Sequence, residues 1–439
     1  MSVSRRELVG VGAVVATAVA ATATATATAA AGAAEPRFLW GAASAGHQVE
    51  GNNVSSDVWL LEHIQPTLFK EPSGDACDSL HRWREDIGIV HSLGLNAYRF
   101  SIEWARIEPE PGQWSLAMLD MYREMVDRCR QVGITPVVTF SHFTSPRWFA
   151  ARGGWEQPDA PARFAEFCDH AARRLADAIG YAVTFNEPDI QPLGQWTAKP
   201  LHANALGAIN AMTAAAAKAC GSDRFSLIIT GRWEVVAPHL LEGHRQARAA
   251  MKAARSDLPV GLSLSLPDDQ AVGPASRIGE KRREVYEPFF TLARDDDFIG
   301  VQTYNRSRID AHGPLPPPAD AKLTQVGDEY YPQALGGAVR YAHAATGRPV
   351  LVTENGIASE DDALRAQFIS IAVRSLQAAM AEGVPVVGYL HWSLLDNFEW
   401  FSGFGPKFGL VAVDRQTFRR TPKPSAYVLG RIARANGVV

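Results

Sequence analysis

Two glutamates occupy matching positions in the sequence, each at the end of a strand-like run. Glu187 stands in Val-Thr-Phe-Asn-Glu-Pro-Asp at 183–189, where apolar and β-branched residues lead into Asn186 and Glu187 before Pro188 ends the run. Glu354 stands in Leu-Val-Thr-Glu-Asn-Gly at 351–356, where Gly356 permits a tight turn. Both runs have the composition of buried strands, so we expect two carboxyl groups at strand ends.

A pair of carboxyl groups that faces one cleft can hydrolyse a glycosidic bond. One group must be protonated near neutral pH and the other ionised, so their environments have to differ. Arg99 and the hydroxyl of Tyr304, which also follow strand-like runs, are candidates for keeping Glu354 ionised. The alternative is that each glutamate caps a helix or forms a structural salt bridge, but two such contexts in one chain favour the catalytic interpretation.

A recurring pattern explains how both carboxyl groups could reach one cleft. Short apolar runs end in polar or aromatic residues, and several intervening segments, such as 161–179 and 361–382, have helical periodicity. Eight such units predict an α/β fold, a single (β/α)8 TIM barrel whose site lies at the carboxyl ends of the strands. The predicted strands are Phe38–Ala43, Asn96–Phe100, Thr135–Phe140, Ala182–Phe185, Val260–Leu266, Phe298–Tyr304, Val350–Thr353 and Val386–His391.

Polar and aromatic side chains collect at the predicted strand ends. A barrel held together by packing alone has no need of polar groups on one face, so we expect them to line a binding cleft. Besides the two glutamates at 187 and 354, the set comprises Gln48, Glu50, Arg99, Glu103, His142, Asn186, Tyr304, Trp392, Glu399 and Trp400.

Together these segments resemble glycoside hydrolase family 1, the retaining β-glucosidase family, from about Phe38 to Tyr427. The motifs are FLWGAASAGHQVEG, YRFSIEWARIEPEPG, TFSHF, TFNEP, VTENG and GYLHWSLLDNFEW. The resemblance implies that Glu187 is the acid/base, that Glu354 is the nucleophile, and that Arg99 and Tyr304 contact Glu354. It implies no metal or organic cofactor. The sugar-binding residues that it implies are Gln48, His142, Asn186, Trp392, Glu399 and Trp400.

The resemblance implies hydrolysis of terminal non-reducing β-D-glucosyl, β-galactosyl or β-fucosyl residues through a covalent glycosyl-enzyme. The substrate is then a β-glycoside or an oligosaccharide. Two other activities stay open. A transglycosidase would use the same two glutamates and pass the sugar to an alcohol. A non-catalytic saccharide-binding barrel is the third interpretation, and the presence of both Glu187 and Glu354 speaks against it.

Three features depart from the pattern of the family. Gln302 stands where Asn is usual, and Phe143 stands where Trp is common. The segment after Pro188, DIQPLGQWTAKPLHANALG, is short for the aglycone side of the cleft. We therefore expect a more open or differently shaped aglycone site.

The phosphosugar specialists of the family use Ser, Lys and Tyr at the positions that correspond here to Glu399, Pro406 and Phe408. A buried carboxylate at Glu399 would repel a phosphate. We therefore predict an unphosphorylated sugar.

The first 34 residues have the composition of a secretory signal. Arg5-Arg6 precedes an Ala/Thr/Val-rich stretch without charged residues, which resembles a twin-arginine signal, and small residues stand before Glu35. We predict cleavage near Ala34, export to the periplasm or the medium, no stable membrane insertion afterwards, and a catalytic domain at 35–439. An uncleaved membrane anchor and a disordered tail are the alternatives.

The composition and net charge limit the classes of protein to which the chain can belong. A chain of 439 residues with 46% hydrophobic content can bury a large core, and its net charge of −4 argues against nucleic acid as a partner. The basic run 281–283 is predicted to be a solvated helix face. The cysteines show no zinc-ligand spacing, and Cys129 and Cys168 are predicted to be buried thiols. The sequence assigns no disulfide among Cys77, Cys129, Cys168 and Cys220.

Overall fold

The computed structural model describes residues 37–198 and 205–438, in which eight parallel strands close into a barrel. The order around the barrel is β1-β2-β3-β4-β5-β7-β9-β10. All eight predicted strands are confirmed, with boundaries shifted by a few residues at most. The barrel strands are β1 (Leu39–Ala43), β2 (Ala97–Ser101), β3 (Thr135–Ser141), β4 (Tyr181–Asn186), β5 (Val260–Ser265), β7 (Ile299–Gln302), β9 (Val350–Asn355) and β10 (Val386–Trp392).

Helices and two short strand pairs surround the barrel. β6 (Asp268–Ala271) pairs with β8 (Arg306–Ile309), and β11 (Val411–Val413) pairs with β12 (Arg420–Pro422). The helices are α1 (Gly46–Val49), α2 (Asp57–His63), α3 (Ser79–Ser92), α4 (Trp104–Ile107), α5 (Leu116–Gln131), α6 (Arg147–Ala151), α7 (Ala160–Leu175), α8 (Ile190–Gln195), α9 (Ala205–Ala219), α10 (Trp233–Ala254), α11 (Ile278–Val285), α12 (Glu287–Ala293), α13 (Ala334–Thr346), α14 (Asp362–Ala381) and α15 (Pro424–Ala435), with 3-10 turns at Gly154–Glu156 and Trp400–Ser402.

Apolar side chains fill the inside of the barrel. A cluster of seven buried residues draws one member from or beside seven of the eight strands. Side chains from all around a closed barrel can meet only inside it, so this cluster is the interior packing layer. The polar strand-end residues therefore have to lie beyond it. The cluster consists of Leu39, Ala97, Val137, Val183, Phe298, Leu351 and Leu390.

Gly356 allows the chain after β9 to approach the end of β10 very closely. A Cβ atom at this position would lie 1.9 Å from the carbonyl oxygen of Trp392. The glycine is thus needed for a backbone approach rather than for a positive φ, which it does not have. This contact holds the strand end that carries Glu354 beside the one that carries Trp392.

The prediction of a solvated basic face at 281–283 is wrong for Lys281. Its ammonium group is fully buried in α11 and lies 2.5 Å from Asp269 of β6. A lysine can be buried at this place because the carboxylate that faces it is buried as well. Arg283 is exposed, as predicted.

The structure tests the predictions about the cysteines but not those about the signal segment. Cys129 and Cys168 are buried, as predicted, and all four cysteines are free thiols. The predicted signal at 1–34 and the domain boundary at 35 lie outside the described residues. Across the described residues, no helix has the length and apolar character needed to span a bilayer.

Candidate active site

A cleft of about 950 Å³ opens at the carboxyl ends of the barrel strands, on the side where the sequence places the polar residues. Arg99 lies beneath the cleft, with no exposed surface, and reaches it through hydrogen bonds. Of the other strand-end residues predicted to line the cleft, nine do so. These are Gln48, His142, Asn186, Glu187, Tyr304, Glu354, Trp392, Glu399 and Trp400.

Glu354 is held by donors on both of its carboxylate oxygens. Arg99 donates from Nη1 to Oε1 over 2.5 Å, and the amide of Gln302 donates to the same oxygen over 3.0 Å. The hydroxyl of Tyr304 donates to Oε2. These donors hold the carboxylate in position and favour its ionised form.

Glu187 has a different environment. It follows β4 with a φ of +45°, a left-handed conformation that few residues other than glycine adopt, and its N–H donates to the carbonyl of Ser263 over 2.8 Å. Burial, reinforced by the nearby charge of Glu354, raises the pKa of Glu187 well above its usual range. Burial also raises the pKa of Glu354, but Arg99 and Tyr304 oppose this rise. Glu187 thus holds the proton of the pair.

The amide of Asn186 is oriented from below. Its Oδ1 accepts from Arg99 Nη2 and from Gln302 Nε2, each over 2.6 Å. Arg99 carries donors only, so the oxygen of the amide must point toward it. The NH2 group of Asn186 is consequently directed away from Arg99 and is available as a donor on the cleft side.

Two further polar groups have unused hydrogen-bonding capacity. Gln48 donates to the carbonyl of Phe398 over 2.7 Å, while its buried Oε1 has no partner within the described residues. The buried Nδ1 of His142 likewise lacks a partner among those residues. Burial and the charge of Arg99 lower the pKa of His142 well below its usual range, so the ring is neutral. Buried polar atoms of this kind are normally satisfied, and both residues line the cleft, so both are candidates for contact with a ligand.

An aromatic wall completes the polar end of the cleft. The ring of His142 stacks against Trp392 and Trp400, at interplanar angles of 18° and 15°. The indole N–H of Trp392 donates to Glu399 over 3.3 Å. Burial nevertheless raises the pKa of Glu399 to about 8, so this group is largely protonated at neutral pH and can donate as well as accept.

Two of the strand-end residues do not belong to the cleft, contrary to the sequence-based expectation. Glu50 pairs with Arg106 over 2.8 Å and accepts from the hydroxyl of Tyr122 over 2.9 Å. Glu103 accepts from the side chains of Asn53 and Thr144. Glu50 is thus directed at residues of α4 and α5, and Glu103 joins the segments that follow β1 and β3.

Gln302 is the residue whose role the sequence did not reveal. It is 1% exposed, and its one amide nitrogen serves both Glu354 and Asn186. The spacing in the sequence could have pointed to this role, because residue 302 precedes Tyr304 by two positions and strand residues two apart share a face.

Among the described residues, no group of three or more His, Cys, Asp or Glu side chains has the arrangement of a metal site.

A (β/α)8 barrel with two carboxyl groups of opposed protonation state at its carboxyl end has the arrangement of a glycoside hydrolase. The sequence profile described as Glycosyl hydrolase family 1 matches residues 33–216 and 294–438, more than half of the chain. The chain belongs to glycosyl hydrolase family 1, and it is an enzyme of the β-glucosidase type.

Known proteins resemble the chain over nearly its whole length. It is 30% identical to thermostable β-glucosidase B of Thermobispora bispora, over 91% of this chain and 90% of the relative. It is 29% identical to β-glucosidase A of Thermotoga maritima, over 91% of this chain and 98% of the relative. The solved apo structure of β-glucosidase 1317 superposes with a TM-score of 0.88 at 47% identity, and covers 91% of this chain and 98% of that one.

Replacing Gln302 with Met should remove the donor to Glu354 while keeping the volume of the side chain. A donor stabilises the ionised carboxylate, so its loss should raise the pKa of Glu354 and move the acidic limb of the kcat/KM profile to higher pH. The loss of kcat/KM at the optimum should be about 10-fold to 100-fold, the range for a hydrogen bond to a charged group. The conservative variant Gln302→Asn should lose less. An unchanged acidic limb in Gln302→Met, with normal thermal unfolding, would contradict this role.

Proposed function

We propose that this chain is an exported retaining β-glycosidase that removes terminal non-reducing β-D-glucosyl residues through a covalent glycosyl-enzyme. The observation that carries the proposal is the asymmetry of the carboxyl pair. Arg99 and Tyr304 hold Glu354 as a carboxylate, whereas burial and the charge of Glu354 keep the proton on Glu187. A retaining mechanism needs one nucleophile and one acid of this kind.

The reaction follows from these assignments. Glu354 attacks the anomeric carbon while Glu187 gives its proton to the departing oxygen. When Glu354 becomes an ester, it loses its charge, so the pKa of Glu187 falls and this residue can take a proton from water. The activated water then hydrolyses the ester and releases the sugar with retained configuration. We expect a separation of roughly 5–5.5 Å between the carboxyl groups, as this mechanism requires.

The polar end of the cleft supports recognition of an unmodified sugar. Oε1 of Gln48, the ring of His142 and the NH2 group of Asn186 offer partners for hydroxyls, and the carboxyl group of Glu399 can bond two of them. Trp392 supplies an apolar platform for one face of the ring. The two curated relatives named above are β-glucosidases, which supports glucose as the first candidate, with galactose and fucose as alternatives.

Repulsion between Glu399 and a phosphate does not account for the expected exclusion of phosphosugars. With a pKa of about 8, Glu399 carries little negative charge at neutral pH. The corresponding phosphate-gripping positions here hold Pro406 and Phe408, which offer no positive charge and no hydroxyl. The nearby ammonium of Lys407 donates instead to the carbonyl of Phe404 over 2.7 Å. A phosphate on this side would therefore be desolvated without compensation.

Replacing Glu354 with Gln should abolish turnover of nitrophenyl β-glucoside, β-galactoside and β-fucoside, because an amide is a far weaker nucleophile than a carboxylate. We expect a fall in kcat of more than about 10³-fold, typical for loss of a nucleophile. Initial rates of the mature chain, which starts near Glu35, would measure this. The surface variant Glu382→Gln should keep normal rates. Near-normal turnover by Glu354→Gln would remove this residue as the nucleophile.

Replacing Glu187 with Ala should slow the hydrolysis of each substrate according to how strongly its leaving group depends on protonation. Alkyl glucosides, whose leaving groups are poor, should lose activity far more than dinitrophenyl glucoside does. Added azide should then restore turnover of the aryl substrate, because it attacks the glycosyl-enzyme without a general base, and the product should be the β-glycosyl azide. Equal losses on both substrate types, or an α-azide product, would contradict the assignment.

Export should depend on the arginine pair at the start of the chain. We expect the full-length chain, expressed in a bacterium with a twin-arginine pathway, to appear outside the cytoplasm with an N-terminus near Glu35. The variant Arg5→Lys/Arg6→Lys should stay inside the cell at its unprocessed mass. Cell fractionation and intact-mass measurement distinguish the outcomes. An unprocessed chain that stays with the membrane after a carbonate wash would instead indicate an anchor.

A further inference from the structure

The cleft beyond Glu187 is bordered by apolar stripes on two helices. In α8, Ile190 and Leu193 line the cleft, and in α9, Leu206, Ile209 and Met212 do so. Residues three apart lie on the same face of a helix, so each helix directs one continuous apolar stripe at the cleft. The stripes themselves are apolar, although Gln191 and Gln195 of α8 also line the cleft.

The first stripe starts beside the acid/base. The N–H of Ile190 donates to the carbonyl of Glu187 over 3.1 Å, so α8 begins within one turn of this residue. Glu187 protonates the oxygen that joins the sugar to its aglycone. The aglycone therefore has to extend from Glu187 along the side of the cleft that α8 borders.

The apolar surface continues past the two helices and is accessible. Ile229, which also lines the cleft, is partly exposed, and Leu206 is 70% exposed. Single exposed leucines are common on proteins, but several apolar side chains that share one wall of a cleft mark a binding surface.

Some of the polar groups near these stripes are engaged with one another, while the buried Oε1 of Gln191 and Nε of Arg308 have no partner among the described residues. Arg306 forms an ion pair with Glu329 at 2.7 Å on another part of the cleft wall. The indole N–H of Trp196 donates to Glu284 over 2.8 Å, and the guanidinium of Arg277 lies 5.1 Å from its ring. The stripes themselves offer no hydrogen-bond partner, so the hydroxyls of a second sugar unit that faced α8 and α9 there would be left unpaired.

From these contacts we infer that the aglycone of the natural substrate is an apolar group, an extended alkyl chain or a fused-ring hydrocarbon, rather than another sugar. The inference rests on the proposed β-glycosidase function and specifies its substrate class. The substrate is accordingly amphipathic, with the sugar at the polar end of the cleft and the aglycone against α8 and α9. Each methylene that leaves water should raise kcat/KM by up to about fourfold.

The first test is a substrate series on the mature enzyme below the micellar range. The probes are β-glucosyl fluoride, methyl, butyl, hexyl and octyl β-D-glucoside, cellobiose and cellotriose. We expect kcat/KM to rise at least about tenfold from butyl to octyl glucoside, and octyl glucoside to exceed both oligosaccharides. Equal rates along the alkyl series, or a clear preference for cellotriose, would overturn the inference. If β-glucosyl fluoride itself is not hydrolysed, the proposed function fails, because this substrate needs almost no aglycone site.

The second test uses two leucines of almost equal exposure. Leu206 is 70% exposed in the stripe of α9, and Leu116 is 71% exposed at the start of α5, outside the cleft. Leu206→Gln should lower kcat/KM for octyl glucoside about threefold or more and leave β-glucosyl fluoride unchanged. Leu116→Gln should change neither. Equal behaviour of the two variants on octyl glucoside would show that the stripe does not contact the aglycone.

Discussion

The buried guanidinium group of Arg99 is the feature on which the rest of the site depends. A charge without solvent contact is tolerated only when its donors are paired, and Arg99 pairs with Glu354, Asn186 and Thr139. Each pairing has a consequence. Arg99 opposes the rise that burial causes in the pKa of Glu354, burial and the charge of Glu354 keep the proton on Glu187, and the bond to Asn186 turns its NH2 group away from Arg99. One cation thus favours the ionised form of Glu354 and sets the orientation of Asn186.

The barrel supplies the rigidity that this arrangement requires. Arg99, Asn186 and Glu354 stand on or at the ends of three different strands, and the interior cluster of apolar side chains fixes those strands relative to one another. The unusual backbone conformation of Glu187 is maintained for the same reason, because the carbonyl of Ser263 on the next strand holds its N–H. The end of a strand can hold such a strained conformation because the packing of the barrel fixes the path of the backbone there.

The site makes the fold less stable as the pH rises from the unfolded pKa of a carboxyl group to about 8. Glu399 has a pKa of about 8 in the folded protein, above its value in an unfolded chain, so the folded state binds more protons between these two values. Its contribution is fully favourable below the unfolded value and is lost as the pH rises through about 8. Asp189, two residues after Glu187, is buried as well and behaves alike, because burial raises its pKa to about 8. Both carboxyl groups lie near Glu187 and Glu354, so the groups that reduce the stability of the fold at higher pH lie beside the candidate site.

The sequence by itself determined the eight strands, their closure into a barrel and the strand-end residues of the cleft, because buried parallel strands leave apolar runs and a barrel brings their carboxyl ends together. The motifs also singled out Glu187 and Glu354. Tertiary structure decided what depends on side-chain direction. Glu50 and Glu103 turn away from the cleft, Lys281 is buried against Asp269, and Gln302 bridges Glu354 and Asn186. These outcomes depend on contacts between residues far apart in the chain, and strand periodicity contains no information about which distant partner a buried polar group will meet.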